Sequence, residues 1–233
     1  MHRAGYKLTT NPHKKFDVAF SFEDTTIKVE DDTHSHLRET TSFINGKCLD
    51  ISKVRVENVF RDIFGYSMMI DPRTHIGSYV KKSDTNGLHD GQILTEPTEP
   101  ESGYVYQKLI NNLVDKDRVR DIRVLVIGAT IPFITYRYRS TQTRFHHTSE
   151  IAVTVPENEF SPAEIETILR FCNTFGVDYG ELDILRDNDD GKIYIVDVNI
   201  TCGGPMPGKH ISRRKYRSYI NTHIAHFERA FLQ

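Results

Sequence analysis

Between residues 177 and 204 the chain reads VDYGELDILRDNDDGKIYIVDVNITCGG, and its apolar positions recur every second residue, the period of a half-buried strand. In the first run Leu182 and Ile184 fall on one face, with Glu181 and Asp183 on the other. In the second, Ile195, Asp197 and Asn199 share a face, and Val196 and Val198 oppose them. Asp189-Asp190-Gly191 fits a three-residue hairpin loop with glycine where φ must be positive. That loop pairs Asn188 with Lys192, setting Asp183 opposite Asp197 and Glu181 opposite Asn199, whereas a two-residue loop would slip the pairing by one. Further strands are predicted over residues 16–22, 77–83 and 104–110, in the segment that Asp121-Ile122-Arg123 begins and that turns at Gly128, and in the PFITYRYRS run that follows. Residues 54–64 carry a helical stripe of Val54, Val56, Val59, Phe60 and Ile63. Ser161-Pro162 opens a second helix, with Glu164 at the capping-box position and Gly176 as its stop. A third spans about 213–231, with Tyr216, Ile220, Ile224 and Phe227 as its apolar face. The class is α/β (α+β).

The polar positions carry the chemistry. Two carboxylates facing each other across a ladder repel, so something cationic belongs between Asp183 and Asp197. Carboxylates with an amide oxygen are hard ligands suited to Mg2+ or Mn2+. An ordinary hairpin with a solvated acidic face would show the same residues, so other segments decide the weight of this reading. Lys81 and Lys82 precede the glycine loop Asn86-Gly87-Leu88-His89-Asp90-Gly91, whose backbone N–H groups can face an anion. Only one of two adjacent strand lysines points inward; Lys82, nearer the loop, is preferred. Arg137 and Arg139 share a face, and their planar forks match phosphoryl oxygens.

Taken in order, GSYVKKSDTNGLHDGQIL, YVYQKLIN, DIRVLVIG, ITYRYRS and GELDIL…IYIVDVN resemble the nucleotide-binding half of the ATP-grasp superfamily over residues 60–208. The resemblance implies two lobes whose antiparallel sheets clasp a nucleotide. Residues 1–50 become a shortened N-terminal segment, 51–110 the small lobe with its glycine loop, and 111–233 the large lobe. ATP and Mg2+ (or Mn2+) are the implied cofactors. Phosphates fall to Lys82, or Lys81, and to a mobile loop that includes Asn86, Gly87 and Gly91. Adenine falls to main-chain groups of Lys108 and Ile110, with Gln107 where the family carries an acid, and ribose to Asp115. Arg139, with Arg137 close behind, meets the transferring phosphoryl group. The implied metal set is Asp183, Asp197 and Asn199. Asp197 stands where the family has glutamate, and bridging two metals with the shorter side chain would need a closer approach of its strand. The implied activity is a ligase joining a carboxylate to an amine or thiol through an acyl phosphate. A kinase of the same fold, a nucleotide-binding regulatory module without turnover, and a plain structural protein are the alternatives.

Composition narrows this picture by exclusion. With 30 Lys and Arg against 32 Asp and Glu, net charge is −2, which gives no electrostatic case for nucleic acid or a membrane surface. No stretch approaches the roughly 18–20 apolar residues of a membrane span, and MHRAGYKLTT lacks a secretory apolar core. Cys48, Cys172 and Cys202 lack zinc spacing and cannot all pair, as suits a reducing cytoplasm; Cys202 reads as a small loop residue. His34 with His36, and His146-His147, have no matching second pair for a metal. The polar stretch 140–149 reads as a loop presenting Arg144, His146 and His147 to a substrate. The basic run from His210 through Arg213, Arg214, Lys215 and Arg217 reads as a solvated helix start that can also attract an acidic acceptor. The carboxylate and its acceptor are not identified, and a partner chain or second copy could complete the acceptor site.

Overall fold

The structure is a computed structural model that describes residues 5–145, 148–202 and 211–233; the His146-His147 pair and His210 lie outside the described residues. In chain order the elements are β1 (Ala19–Phe20), α1 (Asp32–Thr40), β2 (Phe43–Ile44), α2 (Lys53–Phe64), β3 (Tyr79–Ser83), β4 (Gln92–Leu94), β5 (Tyr104–Lys108) and β6 (Arg118–Ile127). They continue with β7 (Ile134–Ser140), β8 (Glu150–Thr154), α3 (Pro162–Phe175), β9 (Tyr179–Arg186), β10 (Ile193–Asn199) and α4 (Arg213–Phe231). Two antiparallel sheets dominate. One is ordered β10-β9-β6-β7-β8 and the other β4-β3-β5, while β1 and β2 form a short parallel pair.

Strand alternation divides the larger sheet cleanly. Ile122, Val124 and Val126 of β6, with Leu182 and Ile184 of β9, pack against Val56, Val59 and Phe60 of α2 and Ile168, Phe171 and Phe175 of α3. On the opposite face the same two strands change character along their length. Leu125, Ile127 and Tyr179 are covered by Phe227 of α4 and by Ile44. Asp121, Arg123 and Asp183 lie further along and face the smaller sheet across a cavity. One face therefore serves as helix dock at one end and polar floor at the other.

Local signals in the sequence place the helices. Ser52 caps α2 by accepting the Arg55 N–H, and Gly65 ends it at φ 78°. α3 has the full capping box between Ser161 and Glu164, with Gly176 at φ 90°. Val54, assigned to the apolar stripe of α2, is exposed. That helix packs with α3 on the larger sheet, although its sequence position puts it in the 51–110 segment expected to form the small lobe. The strand expected over residues 16–22 contracts to Ala19–Phe20.

The β9–β10 hairpin differs from its predicted loop. Asp187 N–H donates to Lys192 O at 2.9 Å, and Ile193 pairs with Arg186, so four residues, 188–191, form the turn. A bulge between Ile195 and Asp197 then restores the expected pairs, Asp197 with Asp183 and Asn199 with Glu181. The extra residue of a bulge turns neighbouring side chains to one side. Ile195 consequently joins the core, while Val196, Asp197 and Asn199 line the cavity.

Asn45 ties the N-terminal segment to this framework. It sits at φ 57°; its Oδ1 accepts the N–H groups of Asp178 and Tyr179, each at 2.9 Å, and its Nδ2 donates to Tyr179 O at 2.7 Å. Asn45→Ala removes three hydrogen bonds, two of them buried, and puts a less tolerant residue in the left-handed region. The expected loss is about 2–4 kcal/mol, read as a lower urea midpoint at unchanged slope.

Candidate functional site

The cavity between the two sheets has a volume of about 460 Å3 and is lined by seven cationic side chains against five aspartates. β3 contributes Val80 and Lys82, β5 contributes Gln107 and Lys108, and the 85–91 loop forms one wall. The floor comes from β6, β7, β9 and β10.

Most of these charges are paired. Arg123 grips Asp183 with two hydrogen bonds, Nε to Oδ1 at 2.7 Å and Nη2 to Oδ2 at 2.8 Å, and reaches Glu181 through Nη1 at 3.0 Å. Burial works to raise the Asp183 pKa, but Arg123 outweighs it and holds the carboxyl below its ordinary range. Glu181, where burial prevails, lies above its own. Arg139 pairs with Asp121, and Arg144 donates to Asn112 Oδ1 at 2.6 Å and Ile110 O at 3.2 Å. Asp121 and Arg123, two residues apart on β6, each pair with a residue of a neighbouring strand.

Two groups are left over. The Arg137 side chain has no hydrogen bond among the described residues, and its Nε is sealed from solvent; burial lowers its pKa. Asp197 Oδ1 is likewise sealed and unpartnered. Burial raises the Asp197 pKa against the pull of Lys53. Lys82 donates to Val196 O at 3.1 Å instead of to this carboxylate, and burial pushes its pKa down to about 8.

Each sequence-derived residue can now be placed. Lys82 lines the cavity; Lys81 faces away, paired with Glu101 and 4.3 Å from the centre of the Tyr104 ring. Asn86, Gly87 and Gly91 line the cavity. Their loop is fastened by Asn86 N–H to Thr26 Oγ1 at 2.8 Å and Lys53 Nζ to Thr85 O at 3.2 Å. Gln107, Lys108 and Ile110 line the wall. Of the main-chain groups expected to meet adenine, two have partners already: Lys108 N–H donates to Met68 O at 2.8 Å, and Ile110 O accepts the Asn112 N–H at 3.1 Å. Asp115 lies off the cavity, in an exposed turn where Arg118 Nε donates to it at 2.7 Å. Asn199 Oδ1 accepts from the Thr201 N–H at 2.9 Å and hydroxyl at 3.0 Å. Cys202 is buried beside α4, and all three cysteines are free.

Sequence reasoning missed Lys53 and Asp24, both on the cavity wall. A lysine in the first turn of a helix opposes the macrodipole, and that was the available signal for Lys53. Asp24 lies in an irregular segment and carries none.

Among the described residues no group of three or more His, Cys, Asp or Glu is gathered for a metal ion. A divalent cation nevertheless fits at Asp197, where a sealed carboxylate oxygen lacks a partner, and a phosphate chain fits the surrounding cationic excess. No helix among the described residues is long and apolar enough to cross a membrane.

No family model matches the chain, and no curated protein matches it in sequence. Solved structures do. The ATP-grasp ligase PsnB, complexed with a phosphomimetic variant of its minimal precursor, Mg and ADP, matches with TM-score 0.54 at 16% identity, over 83% of this chain and 66% of that one. VanG D-Ala:D-Ser ligase from Enterococcus faecalis gives 0.53 at 11%, over 82% and 65%. The D-alanine–D-alanine ligase from Coxiella burnetii gives 0.52 at 13%, over 94% and 69%. The chain thus spans about two thirds of the length of these structures.

The unpartnered carboxylate generates a stability prediction. Asp197→Asn removes a charge that burial disfavours, so the ligand-free protein should gain about 1 kcal/mol, or about 2–4 °C in Tm. For an acid whose folded pKa is raised, the penalty is present above the unfolded pKa and fades as pH falls through the folded value. The gain, followed by calorimetry, should therefore be full at neutral pH and shrink in acid.

Proposed function

From the premise that this chain has the ATP-grasp fold, we propose that it is an ATP-dependent ligase activating a carboxylate as an acyl phosphate. One observation carries the reading. A single cavity sets an unpartnered carboxylate, Asp197, and an unpartnered guanidinium, Arg137, beside Lys82 and a glycine loop. A cation and a polyanion bound together satisfy both at once, as Mg·ATP does.

In this reading the β5 wall around Gln107, Lys108 and Ile110 receives the base. Lys82 and the 86–91 loop hold the phosphates. Asp197 would hold Mg2+, which when bound neutralises phosphate charge. Arg137 and Arg139 steady the terminal phosphoryl group. A substrate carboxylate oxygen attacks the γ-phosphorus and ADP leaves. An amine or thiol then attacks the acyl carbon, phosphate departs, and the nucleophile loses its proton. The chain contributes position and charge neutralisation, the main needs of phosphoryl transfer. The floor supplies a pre-organised field of fixed charges that need not reorganise as the reaction proceeds.

Three measurements test this. AMP-PNP with Mg2+ should raise Tm, since a ligand of the native state alone stabilises it. Lys82→Met should weaken that binding about 10- to 100-fold, the loss of a charge-assisted hydrogen bond; unchanged affinity would remove Lys82 from the site. Activation through an acyl phosphate predicts that 18O in a turned-over carboxylate appears in released phosphate.

Lys82 also predicts proton uptake. With its pKa near 8 in the free protein, about half the side chains are neutral at pH 8, and phosphate favours the charged form. Binding at pH 8 should take up about half a proton, falling toward none at pH 6. Calorimetry in buffers of different ionisation enthalpy reads this directly, and Lys82→Met should abolish it.

A further inference from the structure

Asp183, Asp197 and Asn199 line one cavity, and a set of two carboxylates and an amide could serve a pair of ions around a shared carboxylate. Their hydrogen bonds distribute otherwise. Both oxygens of Asp183 accept from Arg123, at 2.7 and 2.8 Å, and the same guanidinium holds Glu181 at 3.0 Å. Asn199 turns its amide oxygen back on Thr201, at 2.9 and 3.0 Å. Of these three, only Asp197 presents a sealed oxygen with no partner among the described residues. Lys82 and Lys53, which flank it, donate to the main-chain carbonyls of Val196 and Thr85.

Resting on the nucleotide reading above, we infer that this site takes a single divalent cation with its nucleotide, ligated from the protein by Asp197. The Arg123 guanidinium stands as a fixed positive charge in the place beside Asp183 that a second ion would need. Two observations argue against displacement of Arg123. A two-point fork on a carboxylate is the strong form of this contact, and an ion at Asp183 would have to break both bonds. It would also bring a double positive charge against Arg123 and Arg137, with Glu181 the remaining hydrogen-bonded acid of Arg123. Asp197, though Lys53 and Lys82 act on it through space, accepts a hydrogen bond from neither. A small divalent ion there completes its shell with water and phosphate oxygens. Negative charge on the phosphates is then met by one ion and by arginine and lysine side chains that stay in place throughout.

The test counts metal rather than turnover. The protein is dialysed to equilibrium against Mn2+ and saturating AMP-PNP, and both are quantified in excess over the outer compartment. Wild type should carry in about one Mn2+ per AMP-PNP. Asp183→Asn should keep that ratio, while Asp197→Asn should weaken Mn2+ retention about tenfold or more. Arg123→Met, if its circular-dichroism melt stays cooperative, frees Asp183 and should move the ratio toward about two. Two ions per nucleotide in wild type, or loss of the ion in Asp183→Asn but not in Asp197→Asn, would overturn the inference and leave nucleotide binding standing. Failure of wild type to carry in AMP-PNP with Mn2+ would instead overturn the nucleotide reading and this inference together. The wild-type ratio decides even if the arginine variant does not fold.

Discussion

The clasp of Arg123 on Asp183 and Glu181 is the contact on which the rest of this site depends. β6 and β9 lie in the middle of the larger sheet, where burial penalises every charge. Two carboxylates on the floor of a cavity would repel each other and one would be driven to protonate. A single guanidinium between them removes that outcome. Burial acts to lower the Arg123 pKa, yet Asp183 and Glu181 more than offset it and hold the group charged. Such a buried network contributes little net stability against an apolar alternative. What it provides is a fixed arrangement of charge on a rigid element, the condition for binding a polyanion without reorganisation.

Once that floor is fixed, the surrounding pairs fall into place around it. Asp121 takes Arg139, so Arg137, on the same strand face, is left open. The β9–β10 bulge turns Asp197 toward the cavity and Ile195 into the core. The hairpin turn is itself secured from outside. Asp187, fully buried, accepts from Lys108 Nζ at 2.5 Å, and Asn188 Nδ2 donates to Leu113 O at 2.8 Å. Through these contacts the strand of the smaller sheet that borders the cavity is joined to the hairpin that carries Asp197. The two walls are thus one construction, and the glycine loop, held by Thr26 and Lys53, closes it from the N-terminal side.

Much of this was legible in the residues. Period-2 alternation placed Glu181 and Asp183 on one face, and the Ser-Pro…Glu…Gly signals fixed α3 end to end. The Asp183–Asp197 pairing was also anticipated, though through a loop that does not form. Two departures, a four-residue turn and a bulge, cancel in the register. Short-range patterning sees the alternation but not a bulge, because the bulge answers to twist and to the packing of Ile195.

What the sequence determined by itself was the set of elements, the apolar faces that bury them and the inventory of charges, since these follow from spacing along the chain. Which charges pair was decided only in three dimensions. Arg123 lies 60 positions from Asp183, and Asp115, the candidate for ribose, falls in an exposed turn, whereas Asp121 lies on the cavity floor. Lys81 and Lys82 differ by a single step along β3, and the sheet alone turned one to solvent-side partners and the other to the cavity. Coulomb interaction depends on distance and on the medium between charges. Chain order specifies neither, and the packed fold specifies both.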